Sequence, residues 1–132
     1  MIVYKSVDIE EEIRQALSPY MTVYCRPLPK DYVLPNILVT QVGGSDANTV
    51  DTFEVVLDAR AETEAQAMDA LNTAVAVLRG AAREQTGHLR YVSVNTSGSW
   101  GSDPVRPDLS MCSARVSVVA HQIKTEVNEN GS

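Results

Sequence analysis

Residues 51–59 alternate strictly: Thr52, Glu54, Val56 and Asp58 interleave with Phe53, Val55, Leu57 and Ala59. A period of two predicts a strand with one apolar face and one mostly polar face. The period then changes. Thr63 stands three residues before Gln66, a capping-box spacing, and Met68, Leu71, Val75, Leu78 and Ala82 follow at helical intervals. They form one apolar stripe, with alanine between them favouring helix. Gly80 or Gly87 is the expected helix end. A half-buried strand followed by a one-sided helix predicts that the helix lies across a sheet.

The same patterning assigns the other elements. Residues 6–18 read as a helix: Asp8 and Glu11 have capping-box spacing, Ile9, Ile13 and Leu17 share a face, and Pro19 stops it. Residues 20–25 and 37–42 read as strands. The proline-rich stretch 26–36 reads as an irregular connection, and Gly43–Gly44 end the second of these strands. Residues 87–98 give a further strand, with Val92 and Val94 on one face and Leu89 and Tyr91 on the other. Residues 109–123 give a long last strand, with Cys112, Ala114, Val116, Val118 and Ala120 on one face. It is longer than a small sheet requires, so one end is expected to reach a neighbour. The sum is an α+β sandwich: a mostly antiparallel sheet of four to five strands with two helices packed on one face. Residues 1–132 form one domain. Stretches 26–36, 43–51 and 97–108 are expected to be mobile loops, and 124–132 a frayed tail.

Candidate chemistry is sparse. Consecutive Glu10, Glu11 and Glu12 point three ways on a helix, so they do not converge on a metal ion; they suit the positive end of the helix dipole. The segment 43–49 is glycine-containing but lacks the lysine and spacing of a P-loop. His88 and His121 stand alone, and neither they nor Cys25 and Cys112 have metal-ligand spacing. Each cysteine reads as a free thiol in an apolar stretch, without excluding a disulfide. Glu54 and Asp58 share a strand face, which reads as a solvated face and not as a catalytic pair. No catalytic residue, cofactor or metal is expected, and the chain does not read as an enzyme. The net charge of −6 argues against sequence-specific DNA binding, although an acidic wall lets DNA pass without sticking. Residues 8–14 hold four acidic side chains where a signal peptide needs an apolar run. No apolar stretch approaches the roughly 20 residues of a membrane helix. Neither a signal peptide nor a membrane association is therefore expected, and a cytoplasmic site of synthesis is.

Several stretches together resemble the tail terminator family of long-tailed bacteriophages. They are the opening amphipathic helix IEEEIRQAL, the proline-introduced strand LPNILVTQVGG, the strand and alanine-rich helix TFEVVLDARAETEAQAMDALNTAVAVLRG, and the proline-containing entry DPVRPDLSMCSARVSVVAH into the last strand. The likeness is one of element order over residues 7–122. It implies an α/β sandwich fold and a virion location at the head-proximal end of the tail, after assembly in the host cytoplasm. It also implies a ring of this chain, usually six subunits, that caps the tail tube and stops its growth. Such a ring contacts the tube protein on one side and a head connector or stopper protein on the other, while DNA passes through it. Candidate interface residues are Arg60, Trp100, Asp103, Arg106 and Asp108, as charged loop ends and an unpaired aromatic; the lone Trp100 either folds back over the core or meets a partner. Glu54 and Asp58 are candidates for the channel wall. A different head–tail connector, neck or minor tail subunit is the nearest alternative, although a stopper should be more purely β. A small cellular ligand-binding domain or enzyme is the remote one.

Overall fold

The structure, a computed structural model, describes residues 1–47 and 50–129. In chain order the elements are β1 (Ile2–Lys5), α1 (Ile9–Leu17), β2 (Val23–Cys25), β3 (Asn36–Ala47), β4 (Val50–Ala61), α2 (Glu64–Arg83), β5 (Leu89–Ser102), β6 (Ser110–His121) and β7 (Ile123–Glu126). The main sheet has the order β2-β3-β4-β6-β5, and β1 with β7 forms a separate two-stranded ribbon. Every pair in the main sheet is antiparallel except β2 with β3. The expected α+β architecture is therefore present, with both helices on one face.

The core follows from the two periodicities. On β4, Phe53, Val55, Leu57 and Ala59 are buried, while Thr52, Glu54, Val56 and Asp58 are only half-buried. On β6, Cys112, Ala114, Val116, Val118 and Ala120 are buried on the same side, since Ala59 opposes Cys112 and Leu57 opposes Ala114. Ala67, Leu71, Ala74, Val75, Leu78 and Ala82 of α2 close over this surface, and Ile9, Ile13 and Leu17 of α1 complete it. Both helix starts are capped as their spacing predicts: Asp8 accepts from the Glu11 amide and Thr63 from the Gln66 amide. Neither glycine ends α2, which runs through Gly80 and stops at Arg83, before Gly87.

Three stretches expected to be loops or tail are built differently. Strands β3 and β4 continue across most of 43–51, leaving only Asn48 and Thr49 outside the described residues. The paired glycines do not stop β3. They follow an irregularity between Gln41 and Gly43, and a Cβ on Gly44 would lie 2.6 Å from the Thr52 carbonyl oxygen. Glycine at that position is what lets the two strands approach. Residues 97–102 belong to β5, so only 103–109 form a loop. Residues 123–126 pair with Ile2–Lys5, and the Met1 amino group donates to Glu126 Oε1 at 2.7 Å and to the Val127 carbonyl at 3.0 Å. Residues 130–132 of the expected tail lie outside the described residues.

Two further expectations are corrected. Leu89 and Tyr91 do not share a face: a bulge shifts the register between them, so Leu89 is buried and Tyr91 exposed. The last strand has no surplus end. β6 pairs along its whole length with β4, because β3, β4 and β5 are at least as long as β6.

Shortening a buried side chain of β4 should be costly. Leu57→Ala is expected to lose about 2–5 kcal/mol of unfolding free energy, whereas Val56→Ser on the helix-free face should lose less than about 1 kcal/mol. Urea denaturation of the two variants measures both.

Candidate functional site

The helix-free face of the sheet carries most of the polar groups. Register sets Glu54 opposite Ser117, Val56 opposite Arg115 and Asp58 opposite Ser113. The Ser117 hydroxyl donates to Glu54 Oε1 at 2.6 Å, and Asn95 Nδ2 donates to Glu54 Oε2 at 2.8 Å. Asn95 Nδ2 also donates to Ser117 Oγ at 2.8 Å, and the Ser113 hydroxyl donates to Asp58. Arg115 Nε lies 3.9 Å from Glu54 Oε2. Each carboxylate is thus held by a separate serine. The arrangement is a fixed acidic surface, not a pair converging on one point.

At the Arg60 end of this face a loop is anchored to the sheet. Arg60 is opposed by Asn36 on one side and Met111 on the other. Its Nε donates to Asp103 Oδ2 at 2.7 Å, and both residues are buried, 7% and 3% exposed. The other oxygen, Asp103 Oδ1, accepts from the amides of Val105 at 2.9 Å and Arg106 at 3.1 Å. Leu109 is buried behind the turn and donates to the Arg106 carbonyl. Burial pushes the Asp103 carboxyl upward, but hydrogen bonds from Arg60 and the two amides outweigh it and hold it below the usual carboxylate range. Arg106 Nη2 donates to Asp108 Oδ2 at 3.0 Å on the exposed side of the same turn. Arg60 Nη1, Asn36 Oδ1 and Tyr32 Oη are buried without a hydrogen-bond partner among the described residues.

Four of the five candidate interface residues therefore meet: Arg60, Asp103, Arg106 and Asp108 form one cluster. Two of them are not surface groups. Arg60 and Asp103 face each other inside the chain, so only Arg106 and Asp108 remain available to a partner. Trp100 stands apart in β5 opposite Cys112, on the helix side of the sheet. It is 48% exposed. Glu54 and Asp58 share the helix-free face as expected. Asn95, Ser113 and Ser117, which hold those carboxylates, carried no sequence signal beyond alternation, because serine and asparagine on a polar face have no periodicity of their own.

The other acidic side chains of note lie on α1. The three glutamates of α1 go separate ways: Glu10 pairs with Arg26 at 2.8 Å, Glu11 with Arg14, and Glu12 with His88 Nδ1 at 2.6 Å. Gly87 turns beside that last contact with φ +57°, and a Cβ there would lie 2.9 Å from Glu12 Oε2. Cys25 is half-buried and Cys112 buried; both are free, and burial pushes both thiols up. Among the described residues, no group of three His, Cys, Asp or Glu side chains is placed to hold a metal ion. No helix among them is long and apolar enough to cross a membrane.

Removing one member of the buried pair should cost far more than removing both. Asp103→Ala leaves the Arg60 guanidinium buried and unpaired, with an expected loss of about 3–5 kcal/mol. The double variant Arg60→Met/Asp103→Leu should recover most of it. Because the folded-state pKa of Asp103 is lowered, its stabilisation is present above the unfolded value of roughly 3.9 and is lost as pH falls through the folded value. Urea midpoints measured from pH 6 down to pH 2 should fall more steeply for the natural chain than for the double variant.

No family model and no curated protein matches the chain, and the reading of this surface rests on its geometry.

Proposed function

We propose that the chain is a structural virion protein, a tail terminator of a long-tailed phage, acting as a ring subunit that caps the tail tube and presents a surface to the head. The observation that supports this most directly is the placement of both helices on one side of the sheet. The element order on which the resemblance rests is built as one sheet whose opposite face carries Glu54 and Asp58. A ring subunit requires such a second face, either to meet its neighbour or to line the pore. The carboxylates there are locked by Ser113, Ser117 and Asn95, which suits a wall that passes DNA without holding it. Arg106 and Asp108 are exposed on a loop hung from the sheet by a buried ion pair, and this exposure supports a contact with a neighbouring ring.

The deciding experiment adds the purified chain to polymerising tail tube protein. Shorter tubes with capped ends are expected in electron micrographs, and unchanged tube lengths without caps overturn the proposal. In phage carrying Glu54→Lys/Asp58→Lys, the fold should persist, since both side chains lie on the helix-free face. DNA ejection should slow. Ejection at the natural rate from correctly assembled particles removes the channel-wall role.

A further inference from the structure

The chain has eight arginines among its eleven basic residues. Five of them lie beside a carboxylate: Arg14 with Glu11, Arg26 with Glu10, Arg60 with Asp103, Arg106 with Asp108 and Arg115 with Glu54. The other three, Arg79, Arg83 and Arg90, meet no carboxylate among the described residues, and all three line one groove. It runs between α2 and β5, the edge strand of the main sheet. Its main part has a volume of about 530 Å³, and a continuation of about 300 Å³ shares Arg79 and Val94 with it.

The geometry points to a docking site for an extended, acidic polypeptide segment of a partner protein, added as a further strand along β5. Three features specify that occupant. The first is charge. In a chain of net charge −6, a cluster of three unpaired guanidiniums is complementary to carboxylates. Arg79 and Arg83 are exposed one helical turn apart on α2. Arg90 is steadied by donating through Nη1 to the carbonyls of Gly87 at 2.9 Å and Leu89 at 2.7 Å. The second is the free strand edge. Tyr91–Val94 pair regularly with Val116–Val119 on one side, with bulges immediately before and after, and among the described residues no strand covers their other side. A polypeptide backbone can satisfy that row of donors and acceptors, which a nucleic-acid backbone cannot match. The third is the apolar floor from Val75, Val92 and Val94, which accepts alternate side chains of a strand. The bulges restrict regular pairing to about the four residues from Tyr91 to Val94. The inference stands independently of whether the chain caps a phage tail.

The test uses the whole chain and a fluorescein-labelled peptide of alternating valine and glutamate, followed by anisotropy. Binding that weakens with added salt is expected, and Arg79→Glu/Arg83→Glu should weaken it by at least about tenfold. The same peptide with alternate backbone amides methylated keeps its charge but cannot pair as a strand, and it should bind at least about tenfold less well. Amide exchange of the natural chain with the peptide bound should slow within Tyr91–Val94, a readout that does not depend on any variant folding. Absence of peptide binding overturns the proposal, as does unchanged binding by the arginine variant with its fold intact. Equal binding of the methylated peptide also overturns it, since that leaves charge alone. Tighter binding of a short DNA duplex than of the peptide would reassign the groove to nucleic acid.

Discussion

The pairing of β4 with β6 is the constraint on which the rest of this structure depends. The two strands match residue for residue from Val50–His121 to Ala61–Ser110. Both alternate, so a slip of one position would turn Val55 and Leu57 to the helix-free face and bring Glu54 and Asp58 beneath α2. Burying those carboxylates without partners costs far more than the slip could return. The register is therefore set by what each face tolerates. α2 follows as the element that covers the apolar side, and the flanking strands β3 and β5 inherit their facing from the central pair.

Charge is distributed in keeping with that arrangement. Several carboxylates are held locally: Glu10 meets Arg26, Glu11 meets Arg14 and Glu12 meets His88, while Glu54 and Asp58 accept from serine hydroxyls of β6. Arg60 and Asp103 do something else. Their ion pair spans 43 positions of sequence and ties the 103–109 loop to the end of β4. A buried pair of this kind specifies geometry more than it adds stability, because desolvation offsets much of its attraction. Arg79, Arg83 and Arg90 beside β5 differ from the other five arginines, each of which lies beside a carboxylate.

The ribbon of β1 and β7 is the least supported part of the fold. Two strands alone are marginal in water, and Ile2 and Tyr4 are each 53% exposed on it. Its pairing is reinforced at the terminus by the Met1 amino group.

Much of the architecture was legible in the residues. The alternation of 52–59 and 112–120, the stripe Leu71, Val75, Leu78, Ala82, and the caps Asp8 and Thr63 all report local periodicity, and burial of one face follows from it directly. Where local signals were misread, a distant strand had overridden them. Glycines 43 and 44 look like a strand end until Thr52 is seen close against them. Residues 97–102 look like a loop until β6 lies alongside, and 123–126 look like a tail until the N-terminus pairs with them. The candidate surface divides the same way. That Glu54 and Asp58 share a face was fixed by spacing alone, because a strand has a period of two. That Arg60 and Asp103 are buried together, or that Arg90 joins Arg79 and Arg83, required the tertiary structure, since contacts between residues far apart in the chain arise from strand order and register, which no local pattern encodes.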